Sequence, residues 1–187
     1  MNSSDLEILI LLSGGLDSTA CTHLYVKQKK KVSAIFIDYG QLAAQKEKVA
    51  SRKVCEYYGI NLKEVTFNGL PSQKGNYIQG RNLFLVSAAL LSANMKSGII
   101  AIGLHAGSPY PDCTENFISS CRSLFDLYND GTIYLSAPFL KLTKQNIIQY
   151  IIKHNVPLEI TYSCELGLKQ PCGQCSTCRD LESLDVS

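Results

Sequence analysis

The chain has 187 residues, 45% hydrophobic and 18% charged, with a formal net charge of +2. This length suits one domain with a real core and a small appendage. The near-neutral balance gives no general attraction to nucleic acid, and the apolar run Ile8–Leu12 is too short to span a membrane, so neither is expected as a partner. Asp5 and Glu7 stand where an export signal would carry basic residues, so a cytoplasmic protein is expected.

In chain order, Ile8–Leu12 reads as a buried strand broken at Ser13-Gly14-Gly15, followed by a helix over Asp17–Lys29. The run Lys27-Gln28-Lys29-Lys30-Lys31 suits a solvated helix end. Val32–Ile37 is a second strand, ending at Asp38-Tyr39-Gly40-Gln41. A long helix follows over Leu42–Tyr58, closed by Gly59. Leu62–Phe67 is a third strand, and Asn68–Gln79 a polar loop with Gly69, Pro71, Ser72 and Gly75. Arg81-Asn82 opens a helix to about Met95, and Ile99–Leu104 is the fourth strand. The loop His105–Cys113 leads into a helix over Thr114–Tyr128 and a short strand over Ile133–Ser136. Thr143 caps a helix to about His154. The remainder, Thr161–Ser187, is cysteine-rich with little apolar periodicity.

Strands alternating with helices define the expected fold class as α/β, a parallel twisted sheet of about five strands with helices on both faces. Residues 1–160 would form this domain and 161–187 a cysteine segment packed on it. Right-handed crossovers bring the loops after the strands to one edge, where such sheets bind ligands. The loops Ser13–Ser18, Asp38–Gln41, Asn68–Asn82 and His105–Cys113 are expected to converge there.

A Gly-Gly turn between a strand and a helix lets backbone N–H groups close around an anion, and the helix start adds unpaired donors. The hydroxyls of Ser13, Ser18 and Thr19 can add to them. Neither G-x-x-x-x-G-K-[ST] nor G-x-G-x-x-G is present. The string SGGLDS resembles instead the PP-loop of the ATP pyrophosphatase superfamily, which splits ATP between its α- and β-phosphates.

Cys164, Cys172, Cys175 and Cys178 have the spacing C-x7-C-x2-C-x2-C, which suits a closed tetrahedral Zn²⁺ site of structural type. An Fe–S cluster takes the same ligands and is the alternative. So few apolar residues leave the segment dependent on its metal for folding. Cys21, Cys55 and Cys121 read as small core residues. Cys113 lies at the ligand edge before a helix, where a thiol pKa is lowered.

Together these features resemble the QueC family of 7-cyano-7-deazaguanine synthases. The matching strings are SGGLDS, Tyr39-Gly40-Gln41, Gly80-Arg81-Asn82 with Phe84, Tyr110-Pro111-Asp112-Cys113 with Phe117, and the cysteines preceded by Thr161-Tyr162-Ser163. The resemblance implies an ATP-dependent carbon–nitrogen ligase acting on a 7-deazapurine carboxylate, with ammonia as nitrogen source, Mg²⁺ as helper, structural Zn²⁺ and a homodimeric state. ATP would be held by Leu12, Ser13, Gly14, Gly15, Leu16, Asp17, Ser18 and Thr19, with Tyr39, Gln41, Arg81 and Asn82. Asp17, Arg81, Asp112 and Cys113 are the expected catalytic residues. Asp17 would orient the loop or hold Mg²⁺, or simply be a helix-start charge. Arg81 would pair with phosphate or the substrate carboxylate, or be a surface arginine. Asp112 would read an amidine edge, or cap the helix from Thr114 onward. Tyr39 and Tyr110 would stack on a base or serve packing.

The substrate-facing strings depart from the family. Leu42-Ala43 stand for the usual Arg-His, Gln79 for Pro and Thr114 for Arg; the loop before Tyr110 is shortened, and Glu182 and Asp185 replace a basic end. Alternatives therefore stand beside a nitrile-forming synthase. They are a paralogue that stops at the amide or transfers the acyl group to another amine, including one on a protein; an RNA-modifying thiolase, which length and charge disfavour; and a nucleotide-sensing module.

Overall fold

The computed structural model describes residues 6–69 and 78–183. Five strands form one parallel sheet: β1 (Glu7–Leu11), β2 (Lys31–Asp38), β3 (Asn61–Thr66), β4 (Gly98–Ile102) and β5 (Ile133–Ser136), in the order β3-β2-β1-β4-β5. The helices are α1 (Leu16–Lys27), α2 (Ala44–Tyr58), α3 (Arg81–Ser92), α4 (Glu115–Asn129), α5 (Lys144–Lys153) and α6 (Ser176–Ser183). The expected α/β class is the observed one. Most of the segment read as the polar loop 68–79 lies outside the described residues.

Alternation along β1 sorts the core. Ile8 and Ile10, with Leu12 just beyond, join Leu16, Ala20, Val54, Ile147 and Ile151 from α1, α2 and α5 on one face. Leu9 and Leu11 pack with Val86, Ala89, Ile118 and Phe125 from α3 and α4 on the other. The strand order reverses between β1 and β4, so the loops after these two strands flank the switch point of the sheet.

Boundaries differ from the sequence reading in three informative places. The second helix begins at Ala44, not Leu42, because the Gln41 carbonyl accepts the Ala44 N–H and the Gln41 side chain folds back to the Ile37 carbonyl. Pro111–Cys113 forms a 3₁₀ turn, and Thr114 caps α4 through Phe117 N–H. Helix α6 occupies part of the segment read as aperiodic; Cys178 anchors it in the sulfur cluster and Leu181 packs against the main core.

Arginines from the covering helices contact both edge strands. On β3, Glu64 is gripped by Arg52, Nε to Oε1 at 2.6 Å and an Nη to Oε2 at 2.8 Å. On β5, Arg122 Nε donates to the Leu135 carbonyl at 2.8 Å while its guanidinium covers the Tyr134 ring.

Gly14 sits at φ +75°, and a Cβ there would stand 2.6 Å from Ala50 Cβ and 2.7 Å from Ser51 N. The loop can therefore approach α2 only with glycine at this position. Gly14→Ala is expected to destabilise the protein by roughly 3 kcal/mol, from left-handed strain plus overpacking against backbone. Urea unfolding of wild type and variant checks this, an unchanged midpoint contradicting it.

Candidate functional site: an anion cradle at the switch point

A cavity of about 560 Å³ opens over the switch point, a size suited to a small-molecule ligand. The loop after β1 forms its floor. Helix α1 begins with Gly15 as its N-cap, and no side chain caps it. The first-turn residues Leu16, Asp17 and Ser18 line the cavity, so first-turn N–H groups without intrahelical partners accompany the positive end of the dipole there. Ser13 Oγ lies 3.3 Å from Ser18 Oγ and accepts from Gly15 N–H, placing two hydroxyls at the rim. The chemistry of this donor set is that of a phosphate cradle.

Two neighbours shape it. A Cβ on Gly103, just past β4, would lie 2.9 Å from the Asp17 carbonyl and Ser18 N, so the β4 loop meets the start of α1 without intervening side chains. Tyr162 N–H donates to the Gly14 carbonyl at 2.9 Å, fastening the cysteine segment to the loop. Gly14 itself shapes the loop and is not among the cavity-lining residues. Leu12 and Leu16 combine core and cavity contact, and the Leu12 carbonyl accepts from buried Ser51.

Thr19 corrects one expectation. It is fully buried one turn into α1, its hydroxyl has no partner among the described residues, and it is not among the residues lining the cavity.

Asp17 accepts from Lys144 Nζ through both carboxylate oxygens, at 2.7 and 2.8 Å, and lies 3.9 Å from His105 Nε2. Lys144 opens α5, whose N-terminus is fixed by a reciprocal capping box between Thr143 and Asn146. Ala106 N–H donates to the Leu142 carbonyl and ties this corner to the β4 loop.

Arg81, which opens α3, and Tyr39 also line the cavity. Burial raises the Tyr39 pKa, and Arg81 partly offsets this. Glu47 accepts from Gln41 Nε2 at 2.8 Å; burial raises its pKa against the opposing influence of Gln41 and Arg81. The Gln41 amide also accepts Tyr39 N–H and donates to the Ile37 carbonyl, which commits it to shaping the loop.

Asn82 is 2% exposed and clamps α3 to the turn before α4: its N–H donates to Asp112 Oδ2 and its Nδ2 to the Asp112 carbonyl. Asp112 therefore caps α3, not the helix that follows it, where Thr114 is the cap. Cys113 ends the 3₁₀ turn, and burial raises its pKa, the reverse of the lowering expected at a helix start. Neither Asp112 nor Cys113 is among the cavity-lining residues, whereas Asp17, Arg81 and Asn82 are.

The sequence reading passed over Lys144, Glu47 and Glu165. A lysine on the first turn of a helix, against the dipole, was the available signal for Lys144. Glu165 follows the first clustered cysteine, lines the cavity and accepts from Ser176 and Thr177 at the start of α6.

The sulfurs of Cys164, Cys172, Cys175 and Cys178 all lie within 4.8 Å of one another, forming a candidate metal site. Backbone N–H groups of Cys175 and Gln174 hold the Cys172 thiol down to about 6, so this ligand is readily a thiolate. A Cβ on Gly167 would meet the Leu42 carbonyl at 2.4 Å, so the cluster packs tightly on the loop before α2.

A parallel sheet with a serine- and glycine-lined anion cradle after its first strand defines an α/β nucleotide-binding protein of the PP-loop kind. Solved structures agree on the fold: a U34-tRNA thiolase from Methanococcus maripaludis (TM-score 0.56, 20% identity, 98% of this chain and 64% of that one) and an NMN synthetase from Francisella tularensis (TM-score 0.53, 18% identity, 100% and 74%). The profile of queuosine biosynthesis protein QueC matches residues 7–76 and 69–183, and the chain belongs to the QueC family. Its relatives include 7-cyano-7-deazaguanine synthases of Prochlorococcus marinus (34% identity, 96% of this chain and 93% of that protein) and Campylobacter jejuni (30%, 92% and 90%).

Cys175→Ser is expected to lower bound metal, measured by elemental analysis, and to reduce Tm by roughly 10 °C. Unchanged metal content and melting would contradict a structural metal site.

Proposed function

We propose that the chain is a 7-cyano-7-deazaguanine synthase, converting 7-carboxy-7-deazaguanine with ATP and ammonia into the nitrile through the amide. The observation that carries this reading is the uncapped start of α1, opening into a cavity whose far wall holds Arg81, Tyr39 and Glu47. A carboxylate resists amine attack because its leaving group would be oxide. Transfer of AMP to its oxygen supplies a better leaving group, ammonia then gives the amide, and a second adenylation allows elimination to the nitrile. The first-turn N–H groups of α1 and the hydroxyls of Ser13 and Ser18 would bind the phosphates. Arg81 is suited to the substrate carboxylate and Glu47 to a purine edge.

Zn²⁺ fits the cysteine cluster. Four sulfurs about 2.3 Å from one ion in a tetrahedron stand about 3.8 Å apart, a modest contraction from the observed spread. A cubane cluster would hold its thiolates farther apart. Residues 1–160 then act as the nucleotide domain and 161–187 as its zinc appendage. Mg²⁺ would arrive with ATP, the nearby Asp17 carboxylate being engaged by Lys144. A cytoplasmic homodimer fits the reading; exposed Leu91, Leu127 and Tyr128 offer apolar surface to bury.

One observation favours a second reading, an amide-forming paralogue with another amine acceptor. Leu42-Ala43 stand where the family usually has Arg-His, which removes two side chains able to hydrogen-bond near Tyr39 and Gln41. Incubation with ATP, Mg²⁺, ammonium and 7-carboxy-7-deazaguanine should yield AMP and the nitrile mass. Amide alone or a protein-linked base would establish the second reading, and no AMP from any deazapurine carboxylate would overturn both.

A further inference from the structure

We propose that Glu165 sets the specificity of this site for a base bearing an exocyclic amine, its carboxylate accepting from that amine. The inference deepens the reading proposed above and rests on it. Glu165 lines the cavity together with Ser176 and Thr177. Ser176 Oγ and Thr177 Oγ1 donate to it at 2.7 and 2.8 Å, and both donate to the same oxygen, Oε1. The carboxylate is thereby fixed, while its second oxygen keeps acceptor capacity for a ligand. Cys164 adjoins Glu165 in the chain and Cys175 adjoins Ser176, so the sulfur cluster secures both ends of this contact.

A carboxylate near the start of α6 also suits the dipole of that helix. Yet the donors to Glu165 are side-chain hydroxyls of residues that themselves line the cavity, which sets the carboxylate at the cavity wall. Glu47 repeats the arrangement: Gln41 Nε2 donates to its Oε2 at 2.8 Å, and it lines the same cavity. The two carboxylates are electrostatic neighbours. Burial raises the Glu47 pKa, and the charge of Glu165 adds to this. A ligand edge made of N–H groups relieves that repulsion. A guanine-type base offers such an edge, a ring N–H beside an exocyclic amine. A base without the amine would leave a charged acceptor desolvated and unpaired, a loss greater than that of the bond itself.

Turnover of the metal-loaded full-length protein, followed as AMP release, tests this with 7-carboxy-7-deazaguanine and with its analogue lacking the 2-amino group. Wild type should prefer the amino-bearing acid in kcat/KM by roughly ten- to hundred-fold. Glu165→Gln keeps an oxygen for Ser176 and Thr177 but turns an amide NH₂ toward the ligand. It should raise the KM for the amino-bearing acid by roughly ten-fold or more and collapse the preference, with the KM for ATP, metal content and Tm little changed. Ser176→Ala combined with Thr177→Ala frees the carboxylate and should raise the same KM severalfold. Equal use of the two acids by wild type, or an undiminished preference in Glu165→Gln, would overturn the inference and leave the reaction reading standing. If Glu165→Gln loses metal or stability, the double hydroxyl variant decides, an unchanged KM there overturning the inference. No AMP from wild type with either acid would overturn both.

Discussion

The hydrogen bond from Tyr162 N–H to the Gly14 carbonyl joins the two chemically distinct parts of the molecule. On one side lies a turn whose shape is set by steric exclusion, since only glycine at position 14 clears Ala50 and Ser51. On the other lies a segment with little apolar content, organised around four sulfurs. Because Tyr162 packs against the sulfur cluster while its backbone bonds to the loop, order in the cysteine segment is transmitted to the floor of the cavity. Tyr162 and Ser163 also line the cavity, as do Ser176 and Arg179 from α6, so the segment forms a wall of the site.

The sheet was legible because its physics is local. Strand-length apolar runs separated by amphipathic stretches leave few topologies when connections are right-handed. Gly59 closes α2 in the left-handed conformation, and Thr143 caps α5, each as the sequence indicated. Helix α6 was not legible, because at eight residues its apolar face is reduced to Cys178 and Leu181, too few positions to mark a period.

The site was legible to the degree that its parts are contiguous in sequence. Ser13–Ser18 form one turn, and the string alone indicates what the turn can bind. Partners brought from afar are a different matter: Lys144 meets Asp17 across 127 positions, and the lysine's place against the dipole of α5 signals a partner without saying which. Thr19 shows the converse. It adjoins the loop in sequence, yet one helical turn carries its hydroxyl into the core. Asp112 and Cys113 share a motif with Tyr110, but the 3₁₀ turn directs the Asp112 carboxylate to the start of α3. For Asp112, then, position in the chain and direction of the side chain are separate matters.

An open parallel sheet has two free margins, each a template on which a foreign β-segment can grow. Here a guanidinium occupies one margin, where Arg122 takes up the Leu135 carbonyl of β5. Strand addition beside β5 would have to displace Arg122 from that carbonyl. The side chain that covers this margin comes from α4, so the same helix that packs the sheet face also caps its edge.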